Sequence, residues 1–282
     1  MPEVPHVLFW LAPQSAPALG CLKDPANQHY VGSVPGVDGL AFEIGFNCLS
    51  RTPGCLVTFG RRGDIVLSGS RISRVQCEIL LHPKTQEILI RDKSSLRNTR
   101  VYYHSDPESL YFSDRPGIPR QLVIRHGDAV QLQMSSDNDD LFKFEVLWPP
   151  PDPTSLKKLE QEKEVLLARS QNPALAVTHE DTSALSESRM QTPDSGKLWL
   201  HRTLTRIGSG GFGDVYKTVD MHTGGYFAVK SLRRPPSLAM EIEWRKTVLG
   251  EASLLQKLSN VSESSTISSQ LCPLNTKHLV FR

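Results

Sequence analysis

The chain has 282 residues, of which 39% are hydrophobic and 22% charged, enough for two domains at roughly 100 to 200 residues each. Twenty prolines and 19 glycines ask for much turn and linker, but collagen and global disorder are excluded. Thirty-two Lys and Arg against 30 Asp and Glu leave a formal charge of +2, so no overall field attracts nucleic acid or anionic lipid, and any anion site must be local. Five cysteines (Cys21, Cys48, Cys55, Cys77, Cys272) include no CxxC pair, which argues against a disulfide framework or zinc site and for reduced, mostly structural thiols. No apolar run approaches the roughly 18 residues of a membrane span, so the expectation is a soluble, intracellular chain in nucleus or cytoplasm.

In chain order, residues 1–40 read as an N-terminal extension in which Val7 to Pro13 is a strand. From Ala41 to Pro149, short runs of β-formers alternate with turn residues. Ala41 to Phe46, Cys55 to Phe59, Asp64 to Leu67, Gln76 to Leu81, Glu87 to Arg91, Gln121 to Arg125, Ala129 to Met134 and Asp140 to Trp148 are expected strands. Many short strands with no helical period between them predict a β-sandwich or barrel over 41–149. The prolines at 149–151 and 153 stop strand pairing and end that domain. Residues 150–196 read as a linker. It opens with a helix from Ser155 to Ser170, striped by Leu156, Leu159, Leu166 and Leu167, and continues as a disordered segment rich in Ser, Thr, Glu, Asp and Pro. The helix can be a solvated spacer or a small dimerisation seam, since two heptads do not decide. Strands at Trp199 to Ile207, Asp214 to Val219 and Tyr226 to Leu232, then a helix over roughly Leu238 to Leu258, give the order β, β, β, α in 197–260. The polar, Ser-rich residues 261–282 read as an irregular tail.

Ile207-Gly208-Ser209-Gly210-Gly211-Phe212-Gly213-Asp214-Val215 contains GxGxxG. Alone this is a weak signal, but its last glycine leads into a β-run rather than a helix, and Ala228-Val229-Lys230 follows on the next strand. Glycines that let backbone amides fold over phosphates, a Val to cover an adenine and a Lys for the α and β phosphates form one arrangement. The stretch from Thr205 to Asn260 resembles the start of a eukaryotic Ser/Thr protein kinase domain. The resemblance implies an ATP site at Ile207, Gly208, Gly210, Gly211, Gly213, Val215, Ala228 and Lys230, with Mg2+ in the intact family. It also implies Glu251 as the helix carboxylate paired with Lys230, ahead of Glu241 and Glu243. Neither HRD nor DFG occurs in the sequence. Phosphoryl transfer needs both aspartates, so no catalytic residue is assigned, ATP binding is expected to be weak or absent, and the tail reads as a truncation, a mis-spliced end or a genuine short isoform.

In the β region, Phe59-Gly60-Arg61 precedes Asp64-Ile65-Val66-Leu67, then Ser73-Arg74, then Asp92-Lys93-Ser94 and Thr99-Arg100-Val101. Together these motifs, spanning roughly Ala41 to Trp148, resemble the forkhead-associated (FHA) domain, a β-sandwich that binds phosphothreonine. A phosphate dianion needs a planar donor fork and hydroxyl donors on rigid loops, and Arg61, Arg74 and Ser73 are of those types. The resemblance implies Arg61 and Arg74 on the phosphate and Ser73 as hydroxyl donor. Gln76 stands where the family has a buried His. Counting back from Val101, the family's peptide-holding Asn falls on Arg97 and its Gly on Asn98, a residue that tolerates the left-handed conformation. Either Arg97 adds a phosphate contact or Asn98 takes the peptide role after a register shift.

The combined expectation is a multidomain chain: an all-β FHA sandwich and a partial α+β kinase N-lobe joined by a disordered linker, as in checkpoint-type and fungal FHA kinases. Its function is phosphothreonine-peptide recognition coupled to an incomplete ATP-binding Ser/Thr kinase domain. The alternative is a non-catalytic phosphopeptide adaptor with a vestigial kinase segment, and a weaker third reading is a pseudokinase that uses ATP as a switch. Expected partners are phosphothreonine proteins, with no nucleic acid and no membrane. Linker Thr178 and Thr182, once phosphorylated, are candidate ligands for the FHA domain of a second copy.

Overall fold

A computed structural model describes residues 7–46, 50–103, 112, 119–135, 141–150, 153–170, 200–211, 213–233, 237, 240–247, 250, 267–270 and 277–281. The chain divides into two compact units, residues 1–181 with 222–224, and residues 182–221 with 225–282.

The first unit is a two-sheet sandwich. Its strands are β1 (Val7–Pro13), β2 (Val31–Ser33), β3 (Leu40–Gly45), β4 (Cys55–Gly60), β5 (Ile65–Val66), β6 (Cys77–Leu81), β7 (Ile88–Asp92), β8 (Thr99–Tyr103), β9 (Gln121–Ile124), β10 (Val130–Met134) and β11 (Phe142–Leu147). One sheet runs β2-β3-β1-β11-β10-β8 and the other β5-β4-β6-β7-β9. Successive side chains of a strand point to opposite faces. Accordingly Val130, Leu132 and Met134 on β10 and Phe142, Phe144 and Val146 on β11 are buried, while the residues between them are half-exposed. The two sheets meet through Phe59 and Phe144, with ring centroids 6.4 Å apart, and through the Cys77 Sγ and Met134 Sδ atoms at 3.5 Å. Phe9, Phe42, Phe59 and Phe144 are fully buried, each contributing about 1.5–3 kcal/mol relative to an exposed ring. A polar row, Thr58, Glu78, Arg91 and Gln121, crosses β4, β6, β7 and β9 in register. Arg91 stitches it, 3.6 Å from Glu78 and 2.9 Å from Gln121.

Within the span read as an N-terminal extension, residues 7–13 and 31–33 are strands of this sandwich. β1 pairs with β3 on one side and β11 on the other, Trp10 opposite Glu43 and Leu147. Helix α1 (Ala16–Leu22) follows, its first turn capped by the Ser15 hydroxyl, which accepts from the Ala18 N–H. A 3-10 helix (Pro25–Tyr30) comes next. The fully buried Asn27 ties that turn to β5, donating from Nδ2 to the Val66 carbonyl at 2.9 Å and accepting at Oδ1 from the Val66 N–H at 2.7 Å. Pro17 and Gly20 interrupt any apolar stripe, so no periodic signal marks α1 in the sequence. Helix α2 (Pro153–Ser170) lies where a helix was expected. The segment 171–199, with Thr178 and Thr182, lies outside the described residues. Among the described residues no helix is long and apolar enough to cross a membrane.

The second unit is one antiparallel sheet. β12 (His201–Gly210), β13 (Gly213–Asp220) and β14 (Tyr226–Leu232) follow in order, a helix covers 240–247, and β15 (Ile267–Gln270) and β16 (Lys277–Phe281) complete it. The strand order is β12-β13-β14-β16-β15. Within 261–282, read as irregular, residues 267–270 and 277–281 are strands. Leu279-Val280-Phe281 is a run of β-formers, and the open edge of β14 supplies its backbone partners, Lys230 opposite Leu279, so the sheet overrides the polar context of the tail.

Candidate functional site

Three loops at one end of the sandwich carry the motif residues. The first, 60–64, joins β4 to its parallel neighbour β5. Gly60 has φ +152°, and a Cβ there would collide with the Arg74 carbonyl oxygen and stand 2.9 Å from the Gln76 nitrogen. Only glycine lets this loop lie against the second one so closely. Gly63 is equally confined, 2.7 Å from the backbone of residues 58–60 if given a Cβ. Asp64, 7% exposed, locks the turn. Its carboxylate accepts from the Thr58 N–H at 2.9 Å, the Thr58 hydroxyl at 2.8 Å, the Ser50 hydroxyl at 2.5 Å and the Arg51 N–H at 3.1 Å.

The second loop, 68–76, is bound to the first by backbone bonds from Arg61 N to the Ser73 carbonyl (3.0 Å) and from Arg62 N to the Arg74 carbonyl (2.9 Å). Arg61 Nε donates to the Ile72 carbonyl at 2.7 Å, which fixes the guanidinium along the rim. The third loop, 93–98, is joined to the second by Ser95, whose N–H donates to the Ser73 hydroxyl at 3.1 Å and whose own hydroxyl lies 3.3 Å from it. Gln76 stands at the junction with no exposed surface. Its Oε1 accepts from the Ser73 N–H (3.0 Å), and its Nε2 donates to Asn98 Oδ1 (2.7 Å) and Thr99 Oγ1 (3.0 Å). An amide carries both a donor and an acceptor end, so it bridges both loops from the position where the family has an imidazole.

Arg61, Ser73, Arg74 and Arg97 thus come together on the rim. The register of the last pair of candidates is corrected. Arg97, not Asn98, holds the left-handed conformation, with φ +52°. Asn98 is 6% exposed and faces inward, accepting from Gln76 and donating from Nδ2 to the Arg71 carbonyl at 3.3 Å. Its side chain braces the loops rather than facing solvent. The one acidic residue of the three loops, Asp64, is buried and turned inward, and Arg61, Arg62, Arg71, Arg74, Lys93 and Arg97 are all exposed. Among the described residues neither Arg61 nor Arg74 has an ion-pair partner, and no cluster of three or more acidic, His or Cys side chains could hold a metal. This rim is the local anion field that the near-neutral chain as a whole lacks.

Sequence reasoning missed two residues behind the rim. Asp92 accepts from the Ser94 N–H at 2.9 Å and pairs with Arg120 Nε at 3.0 Å, and Arg120 also donates from Nη2 to the Arg97 carbonyl at 3.3 Å. Asp92 stood in the quoted motif without a role. Nothing local marks Arg120, which only the pairing of β7 with β9 brings alongside.

In the second unit the glycine-rich turn joins β12 to β13. Ile207 is 59% exposed, Gly208 faces Val215, and Gly210 and Gly211 have open space where a Cβ would stand. Gly213, at φ +155°, packs directly on the Ser231 carbonyl and admits no side chain. Val215 faces Lys230, and Ala228 lies two residues along from Lys230, so Gly208, Val215, Ala228 and Lys230 share one face of the sheet. The Ser209 hydroxyl, with Arg233 and Arg206, holds the Asp214 carboxyl below the ordinary carboxylate range beside this turn. Glu251 lies outside the described residues. The alternative Glu241 is 6% exposed and pairs with Arg245 at 2.7 Å.

The sequence model of the FHA domain family matches residues 57–132, within the two-sheet sandwich that carries the three-loop rim. Those residues are an FHA domain. Among solved structures the chain is similar to the crystal structure of Rad53 1-466 in complex with AMP-PNP, at 15% identity and a TM-score of 0.46, over 100% of this chain. The chain spans 57% of the length of that structure's chain. No curated protein matches it.

Proposed function

We propose that the FHA domain binds phosphothreonine segments of partner proteins on the rim of loops 60–63, 68–76 and 93–98. Arg61 and Arg74 take the phosphate, Ser73 donates its hydroxyl, and Arg97 meets the peptide beside it, with Asn98 as the brace beneath. The observation that carries this reading is the bridging of loops 68–76 and 93–98 by one buried amide, Gln76, with loop 60–63 tied to them by backbone bonds and the Arg61 and Arg74 guanidiniums exposed and, among the described residues, without ion-pair partners. Such a frame offers planar and hydroxyl donors without ordering cost on binding. Selectivity for threonine over serine rests on one methyl, worth about 0.8 kcal/mol if buried. Titration calorimetry of parent and Arg61→Ala with a phosphopeptide panel tests the site. A charge-assisted bond contributes about 1.5–3 kcal/mol, so the variant should bind at least tenfold more weakly, and equal affinity removes Arg61 from the site.

A second reading concerns the other unit. The shared face of Gly208, Val215, Ala228 and Lys230 under a glycine turn supports an ATP-binding, kinase N-lobe-like sheet, with Ile207, Gly210, Gly211 and Gly213 shaping the turn and Glu251 as the carboxylate partner of Lys230. The residues fit a nucleotide triphosphate: open glycine amides for its phosphates and a lysine on the central strand. Magnesium, when bound with the nucleotide, supplies charge neutralisation at the phosphates. This chain is expected to transfer little or no phosphate. Transfer to a generic substrate that Lys230→Met abolishes overturns that expectation. In the same chain, phosphorylated Thr178 and Thr182 serve as ligands for a second copy's FHA domain. Light scattering on the phosphorylated protein should show a dimer that Arg61→Ala dissolves.

A further inference from the structure

Arg97 is one of three residues other than glycine with positive φ among the described residues, and the one of the three that lies on the rim. A side-chain-bearing residue in this conformation is disfavoured and persists where its surroundings hold it. Two bonds within the loop contribute, Arg97 N to the Ser94 carbonyl at 3.2 Å and Asn98 N to the Ser94 hydroxyl at 2.9 Å. The third restraint comes from outside the loop. Arg120, at the start of β9, spans a carboxylate and a carbonyl with one guanidinium: Nε on Asp92 at 3.0 Å and Nη2 on the Arg97 carbonyl at 3.3 Å. Its backbone completes the frame, since the Asp92 N–H donates to the Arg120 carbonyl at 2.7 Å. The Asp92 side chain is 1% exposed and that of Arg120 19%, so the pair is a largely buried strut. The guanidinium carbon lies over the Phe112 ring, 5.6 Å from its centroid.

We infer that Arg120 is a positioning residue for ligand binding, which acts by holding Arg97 in the left-handed conformation that aims its guanidinium at a bound phosphopeptide. The inference rests on the reading of the rim as the phosphopeptide site. The guanidinium reaches its two acceptors through two nitrogens of one rigid fork, Nε and Nη2, whereas a lysine has a single nitrogen on a flexible stem to place between them. The contact of Arg120 with the rim loop is the Nη2 bond to the Arg97 carbonyl.

Three variants of the full chain test this: Arg120→Lys, Arg97→Ala and the two combined, titrated with one singly phosphorylated threonine peptide. Arg120→Lys keeps a cation against Asp92, and amide exchange of β7 should match the parent while residues 94–98 exchange faster. Its affinity should fall about fivefold, the effect of releasing one strained residue. The double variant should bind as Arg97→Ala does, because Arg120 has nothing left to position. In an Arg61→Ala background the Arg120→Lys effect should persist in full. Affinity of Arg120→Lys within about twofold of the parent, or losses that multiply in the double variant, overturns the inference. If Arg120→Lys also opens β7, unchanged exchange at 94–98 relative to β7 overturns it equally. Failure of the parent chain to bind any phosphopeptide instead sinks the reading of the rim, and this inference with it.

Discussion

Replacing Gln76 by leucine keeps the volume of a fully buried side chain and deletes its chemistry. The substitution leaves three groups without the partners they have now: the Ser73 N–H, Asn98 Oδ1 and one lone pair of Thr99 Oγ1. Each buried polar group left unpaired costs about 1–3 kcal/mol. The three are not equal. Ser73 is half-exposed, so water can reach its N–H, and the Thr99 hydroxyl still donates to the Gln76 carbonyl at 3.3 Å. Asn98, 6% exposed, bears the full penalty. The expected loss is therefore about 2–4 kcal/mol of sandwich stability, below the sum of three complete penalties. Because two units are present, a single unfolding midpoint mixes their transitions. Native-state amide exchange resolved to β6 and β7 reads the sandwich alone. Phosphopeptide affinity should fall along with it, since the loops bearing Ser73 and Arg97 lose their common tie. Exchange free energies within about 0.5 kcal/mol of the parent, a surface-like effect, would falsify the assignment of Gln76 as the junction of the second and third loops.

Gly60→Ala puts a methyl into the Arg74 carbonyl at a φ that disfavours it, so it should cost at least about 3 kcal/mol and abolish phosphopeptide binding; a fully stable, binding-competent variant refutes the close approach. Burial pushes the Cys21 and Cys55 thiols up to about 12, from an ordinary value of 9.0. Above pH 9 the unfolded chain therefore releases protons that the folded one keeps, and stability should fall from there toward pH 12 by up to about 1.4 kcal/mol per pH unit for each thiol. Urea midpoints that decline no faster in the parent than in a Cys21→Ala, Cys55→Ala variant refute it. Finally, six exposed cations on the rim make affinity sensitive to salt. Phosphopeptide binding should weaken at least about tenfold as the Debye length shrinks from about 30 Å at 0.01 M to about 8 Å at 0.15 M, and a flat titration series speaks against an electrostatic rim.

Most sandwich strands are visible in the sequence because their apolar runs end in turn residues. β4, β6, β7, β10 and β11 lie within a residue or two of where periodicity puts them. β8 is harder. Thr99 to Tyr103 carries Arg100 and two tyrosines rather than an aliphatic run, and only its register with β10, Val101 opposite Leu132, makes it a strand. The rim divides in the same way. Arg61, Ser73 and Arg74 are legible because short motifs in a fixed order carry them. The exchange of roles between Arg97 and Asn98 is not, since counting along a loop cannot tell which residue turns left-handed. Arg120 lies 28 positions from Asp92, a pairing that exists only once β7 and β9 are side by side. In the second unit, Leu279-Val280-Phe281 has the composition of a strand, but the edge that receives it lies on β14, far back in the chain.

The place of β1 between β3 and β11 sets a timetable for biosynthesis. Trp10 is opposite Leu147, so β1 waits for this neighbour until almost the whole sandwich has been translated. At roughly 5–20 residues per second, that wait is roughly 7 to 27 s. During it the segment Val7–Pro13, buried along most of its length in the finished fold, has no sheet to join on that side. Pairing across such a long loop is also slow once both strands are present. The nascent chain therefore carries a Val-Leu-Phe-Trp-Leu stretch unpaired on that side for many seconds, the kind of segment that chaperones shield and that associates with other chains when they do not.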